Sequence, residues 1–315
     1  MRNKICIIII FILFIFGCSK QDLQEYTKEL DYFDSTIYIK LYTTKDKANK
    51  TFEYIENIIN EYENIINRDN INSEVSYIYN NTSINKKIKI SKYMNDLIEY
   101  GIKLYNDSNT YLSINTGDIV DLWNNNIVPN NELNNIDTNI DKIIVKNNVL
   151  DNNHVNLYFD QFIKGYLNNL IKNYLENMNI DYYFINTESE ILTGKNINDK
   201  DYIVAISSPF NDEILKVLNI QNKYIVTKSI YHNSYEYNGE LYSSIVDAKN
   251  KTMANNMISV TVVSDDIYIG EMVANMLFMN DYDIGTRIAN KYNIKAIWCF
   301  KENGKNIIKS NMEEI

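Results

Sequence analysis

Val226-Thr-Lys-Ser-Ile-Tyr231, Tyr237-Asn-Gly-Glu-Leu-Tyr-Ser-Ser-Ile-Val-Asp247 and Ser259-Val-Thr-Val-Val263 are the segments on which the fold reading turns. The first and last lie in β-branched runs that read as strands over 224–227 and 258–263, and a helical pattern over 266–279 follows directly. Working outward, residues 182–186, 201–206 and 215–220 also read as strands, residues 284–292 as a helix, and Asn303-Gly304 as the turn of a closing hairpin. In the first half Ile37, Ile39 and Leu41 alternate with Tyr38, Lys40 and Tyr42, the period of a half-buried strand. From about Lys47, Phe52, Ile55, Ile58, Ile59, Tyr62, Ile65 and Ile66 recur at three and four residues, which predicts an amphipathic helix. Two more helices are predicted over 91–105 and 162–178. Helices and strands mix without regular alternation, so the predicted class is α+β with mainly antiparallel sheets, in a single domain over 33–315. The Asn-rich stretch 124–148 reads as a surface excursion.

With 315 residues, 45% of them hydrophobic, the chain can bury a substantial core. Its net charge of −10 argues against a nucleic-acid partner, because phosphate binding needs clustered Lys and Arg. The first seventeen residues stand apart. Arg2 and Lys4 precede an apolar run from Ile5 to Phe16, too short to cross about 30 Å of hydrocarbon and suited to a signal peptide. Ile15-Phe16-Gly17-Cys18 resembles the lipobox of bacterial lipoproteins, although Phe16 is bulky for its place. The expectation is a signal peptide over 1–17, lipidation of Cys18, a polar tether over 18–32, and a lipid-anchored protein facing the periplasm or cell exterior. An uncleaved N-terminal anchor with Cys18 incidental is the alternative. Once Cys6 leaves with the signal, Cys299 is the mature chain's other cysteine, so no intramolecular disulfide joins the folded domain; it reads as a small core residue.

Four segments, in order, carry a family resemblance. Asn67-Arg-Asp-Asn-Ile-Asn-Ser-Glu-Val-Ser-Tyr-Ile-Tyr-Asn80 follows the first helix; Tyr111 to Trp123 contains Thr116-Gly-Asp-Ile-Val-Asp-Leu-Trp123; Val155 to Tyr166 ends in Phe162-Ile-Lys-Gly-Tyr166; the segments from Val226 to Val263 complete the set. Together they resemble the FAD:protein FMN transferase family over roughly residues 30 to 310. That resemblance implies magnesium-dependent transfer of FMN from FAD to a threonine of an exported acceptor protein, with release of AMP.

It also implies where the site lies. Positions that contact flavin or phosphate in the family correspond to Phe33, Asp69, Tyr111, Leu112, Ser113, Tyr158, Lys164 and Ile245, and the metal contacts to Gln161, Glu271 and Asn275. Several of these depart from the family residue: a Met becomes Phe33, a Tyr becomes Asp69, a Phe-Asp pair becomes Leu112-Ser113, an Asp becomes Tyr158, and a His becomes Ser244. A Gly-Gly pair is replaced by Asp160-Gln161, adding bulk and charge where a backbone should approach a pyrophosphate. Spacing of four puts Glu271 and Asn275 on one helix face, as an oxygen-rich metal pair or as a solvated face. Lys164 reads as a phosphate contact or as a surface lysine in a first helical turn. The departures leave open a second class of function, a catalytically inactive flavin-binding or interaction lipoprotein with the same fold.

Overall fold

Alternation along Ser35–Thr43 carries Ile37, Ile39 and Leu41 to one face of the strand, where all three are fully buried. This strand belongs to an eight-stranded sheet in a computed structural model that describes residues 23–33, 35–81, 87–125, 133–151, 155–231 and 234–312. In spatial order the strands are Gln24–Tyr32, Ser35–Thr43, Tyr183–Thr187, Glu190–Thr193, Tyr224–Ser229, Ser259–Ser264, Lys295–Glu302 and Lys305–Ser310. Every neighbouring pair is antiparallel. The α+β class with antiparallel sheets is therefore the observed architecture.

Seven helices are described: α1 Lys45–Ile66, α2 Glu74–Asn81, α3 Lys92–Asp107, α4 Gly117–Asn124, α5 Ile163–Asn177, α6 Ile267–Met279 and α7 Tyr282–Lys291. Their starts are chemically marked. Ser91 caps α3, Asp266 caps α6 and Asp281 caps α7, each side chain accepting a backbone N–H of the first turn at 2.8–3.0 Å. α1 turns one apolar stripe to the sheet. α6 differs because it is apolar around its whole circumference, and nearly all its residues are buried against the sheet, α5 and α7. That placement draws Glu271 and Asn275 into the interior with it. Gly165 permits the close approach of α5: a Cβ there would lie 2.5 Å from the Glu271 Cγ. The opposite sheet face is covered by the hairpin of Tyr202–Ser207 and Ile214–Ile220, whose Val204, Ile206, Leu218 and Ile220 pack on Ile225, Ile297 and Cys299. Cys299 is thus the core residue the sequence predicts, and burial raises its thiol pKa.

Four readings change. Residues 24–32, expected as tether, form an edge strand paired along its length with Ser35–Thr43; its apolar positions are few because one side of the sheet edge faces water. The segment after α1 contains a helix that the sequence reading does not assign, α2, and Thr116 to Trp123 contains another, α4. The Asn-rich stretch is not wholly superficial, since Leu133, Ile140 and Ile143 are buried and Ile144–Lys146 pairs with Val149–Asp151. Glu271 and Asn275 are fully buried, which excludes a solvated face. The signal peptide and Cys18 lie outside the described residues.

Candidate active site

Beside the sheet, a cleft of about 870 Å³ opens between the end of α1, the 67–69 turn, α4, the start of α5, the 188–191 hairpin turn and the strand Tyr224–Ser229. Of the positions singled out in the sequence, Phe33, Asp69, Tyr158, Gln161, Lys164 and Ile245 line it. Phe33 has positive φ (53°), and its N–H donates to the Glu63 carboxylate at 2.5 Å. Tyr158 donates its hydroxyl to the Ser244 carbonyl at 3.3 Å, and the Arg68 guanidinium stands 5.9 Å from its ring centre. Lys164 lies over the Tyr32 ring and donates to the Ser35 hydroxyl at 3.1 Å, so it is a part-buried cation of the cleft rather than a surface lysine.

Three predicted residues lie behind the wall. Leu112 is fully buried core, and the Tyr111 hydroxyl donates to Asn280 Oδ1 at 3.0 Å. The Ser113 hydroxyl is turned away to the Thr138 carbonyl at 2.7 Å, while its own carbonyl accepts from Gln161 Nε2 at 3.3 Å. Ser113 thereby supports the Gln161 side chain, whose Oε1 accepts the Val246 N–H at 3.2 Å. Gln161 is therefore fixed on both sides and presents its backbone carbonyl, not its side chain, toward α6.

Gln161, Glu271 and Asn275 do converge. Asn275 Nδ2 donates to the Gln161 carbonyl at 3.3 Å and to Glu271 Oε1 at 3.0 Å. The group at the centre of the cluster is Lys228, whose ammonium lies 2.5 Å from Glu271 Oε1 and 3.4 Å from the Gln161 carbonyl. Glu271 Oε2 accepts the Tyr224 hydroxyl at 3.1 Å. Beside this group Glu190 accepts from Asn168 Nδ2. Burial pushes the Glu190 carboxyl up to about 7, the Glu271 carboxylate adds to the rise, and Lys228 and Lys164 oppose it. The Tyr224 hydroxyl, buried against both carboxylates, is held well above its ordinary value.

These donors do not fit magnesium. Both Glu271 oxygens and the Gln161 carbonyl are engaged by N–H or O–H groups of the chain, whereas Mg²⁺ requires six oxygen ligands at about 2.1 Å. Asn275 turns its amide nitrogen inward and leaves Oδ1 buried without a hydrogen-bond partner. A dication on Glu271 Oε1 would stand within about 4.6 Å of the ammonium and be repelled by about 7 kcal/mol at an effective dielectric near 20. Among the described residues no group of three or more His, Cys, Asp or Glu offers another metal site.

Sequence reasoning misses three residues of the cleft. Lys228 and Glu190 lie just outside the strand runs read from the sequence, at or next to the ends of the observed strands Tyr224–Ser229 and Glu190–Thr193, and their partners are remote in sequence. Arg68 lies inside a quoted segment, yet its contacts to Asp121 Oδ1 (2.8 Å) and Asn156 Oδ1 (3.0 Å) join segments that only the fold brings together. The signal was present in one respect: Lys228 stands where the resembled motif has Ser.

Comparison with known proteins agrees with this fold. FAD:protein FMN transferase of Haemophilus influenzae is 23% identical over 286 residues, covering 84% of this chain and 82% of that protein. The protein of that name from Vibrio cholerae is 24% identical over 262 residues, covering 78% of each. In three dimensions the fold superposes on flavin transferase ApbE from Vibrio cholerae with TM-score 0.75 at 19% identity, over 91% of this chain and 97% of that one. The apo form of Pseudomonas stutzeri flavinyl transferase ApbE gives TM-score 0.77 at 17% identity, over 91% and 95%. A family model described as ApbE family matches residues 33–298, and the chain belongs to that family.

Proposed function

We propose that this protein is an FAD:protein FMN transferase that moves FMN from FAD to a threonine of an exported acceptor protein and releases AMP. One observation carries the reading: residues from all four sequence segments, remote along the chain, form the walls of one cleft whose volume suits a small-molecule site. In the reaction the threonine hydroxyl oxygen bonds to the phosphorus of the FMN half, the bond from that phosphorus to the bridging oxygen breaks, AMP leaves with the electron pair, and the hydroxyl proton is released. The chain's task is to hold a pyrophosphate whose negative charge grows on the leaving oxygen. Lys164 and Lys228 supply positive charge on the α5 side of the cleft, and Arg68 on the α4 side. Tyr158 and Ile245 offer apolar surface for the flavin ring. Magnesium, which the resemblance implies, does not fit the Glu271 carboxylate as it stands, because Lys228 already pairs with it.

Lipidation at Cys18 is part of the proposal and places the cleft on the outer side of a membrane, where a tether raises the encounter rate with membrane-bound acceptors. A Cys18→Ser precursor should be neither lipidated nor processed; unchanged mobility and membrane retention would remove that part. For the activity, the purified protein is incubated with FAD and a threonine-bearing acceptor domain, and AMP and flavinylated acceptor are followed by mass spectrometry. FAD binding without AMP release, with or without divalent metal, would replace the proposal by the non-catalytic flavin-binding lipoprotein.

A further inference from the structure

We propose that the Lys228 ammonium is this chain's resident cation, so that the cleft binds a pyrophosphate without a divalent metal, and that removing Lys228 turns Gln161, Glu271 and Asn275 into a divalent-cation site. The pyrophosphate clause rests on the function proposed above; the metal clause does not. Three observations carry it. First, the residues that would ligate a metal do meet, but around Nζ of Lys228, with Glu271 Oε1 at 2.5 Å and the Gln161 carbonyl at 3.4 Å. Those two contacts use two of the three donors of an ammonium. The side chain is 13% exposed and lines the cleft, so the third donor is the one available to a ligand there.

Second, the Asn275 amide presents its donor, not its oxygen, to the cluster. Its nitrogen faces Glu271 Oε1 and the Gln161 carbonyl, both acceptors, and its oxygen is the buried atom left without a partner. Turning the amide over would forfeit both of these hydrogen bonds and set its oxygen against the Glu271 and Gln161 oxygens that Lys228 already holds. Third, the pocket behind Lys228 holds the Glu271 carboxyl group against it: Tyr224 donates to the far oxygen of Glu271, and Gly165 leaves room for its side chain. A lysine on a strand is covalently fixed and cannot be removed by a chelator, whereas a bound metal can.

The test uses the purified protein and two titrations. FAD binding is followed by flavin fluorescence quenching in excess EDTA and in excess Mg²⁺. Wild-type affinity should agree within about two-fold between them, since the ammonium is present in both. Lys228→Ser should lose roughly ten- to a hundred-fold in EDTA, the loss of one charge-assisted contact, and recover with Mg²⁺. Mg²⁺ alone, without flavin, should raise the melting temperature of Lys228→Ser and leave wild type unchanged. Wild-type binding that collapses on chelation, or a wild-type melting temperature that rises with Mg²⁺ alone, overturns the proposal. So does a folded Lys228→Ser protein indifferent to Mg²⁺. If the serine variant does not fold, Lys228→Arg should retain EDTA-resistant binding, and the wild-type titrations still decide the matter. Absence of FAD binding in every condition counts against the proposed function, while the metal-only titrations separately decide the cation site.

Discussion

Replacing Glu271 by Gln leaves the shape of the site and removes the charge facing Lys228. The carboxylate is fully buried, the ammonium is 2.5 Å away and nearly buried, and at an effective dielectric near 20 their direct attraction is about 7 kcal/mol. Desolvation of both groups cancels much of this, and breaking one side of such a pair costs about 3 to 5 kcal/mol. The glutamine oxygen still accepts from Lys228, a charge-assisted bond of about 1.5 to 3 kcal/mol, so the net loss should be about 1 to 3 kcal/mol. The loss should also depend on pH in a stated direction. At pH 5 Glu190 is protonated and the whole loss is seen. At pH 8 wild type carries two ionised carboxylates that repel, and the variant is relieved of one, so the difference shrinks. Urea unfolding of wild type, Glu271→Gln, Lys228→Met and the double variant at both pH values gives the coupling energy directly. A coupling below about 0.5 kcal/mol at pH 5, or a loss larger at pH 8 than at pH 5, would refute the reasoning.

Glu190→Gln tests the neighbouring carboxyl. Because its folded pKa is raised to about 7 from 4.5, its stabilising contribution is complete below pH ~4.5 and is lost as pH rises through 7, so the variant should flatten the stability profile over that window and exceed wild type at pH 8 by on the order of 1 to 3 kcal/mol; a parallel profile in urea unfolding would refute the assignment. Gly165→Ala gains about 1 kcal/mol of helix propensity but drives a Cβ to 2.5 Å from Glu271 Cγ, an overpacking cost of about 1 to 3 kcal/mol, and should lower the melting temperature and FAD affinity together. Arg68→Ala unties Asp121 and Asn156 and should cost about 1 to 3 kcal/mol in denaturant unfolding, with weaker FAD binding that no salt concentration restores.

The elements with a strong period were legible in the sequence: the strand at Ser35–Thr43, α1, α3, α5 and α6 stand where alternation or three-four spacing puts them. α2 and α4 were not, because each is only about two turns long, too short for a three-four period to show. Within the site, the four-residue spacing of Glu271 and Asn275 predicted their common face, but not that α6 is apolar all round and buries it. Motif order located Phe33, Tyr158 and Lys164 at the cleft, yet order says nothing about side-chain direction, and Ser113 turned to a carbonyl behind the wall. Lys228 escaped for a plainer reason. Its partner lies 43 residues away on another element, and nothing local distinguishes a strand lysine that faces solvent from one that faces a buried carboxylate.

The edge strand at Gln24–Tyr32 would set the leash length of the proposed lipid anchor. If lipid is attached at Cys18, the chain from there to Gln24 reaches at most ~21 Å even when fully extended. With a tether running to residue 32 the reach would be more than twice that, and the domain would roam. On such a short leash the domain would stay near the headgroups. The acceptors it can serve are then those that present their threonine close to the same membrane surface.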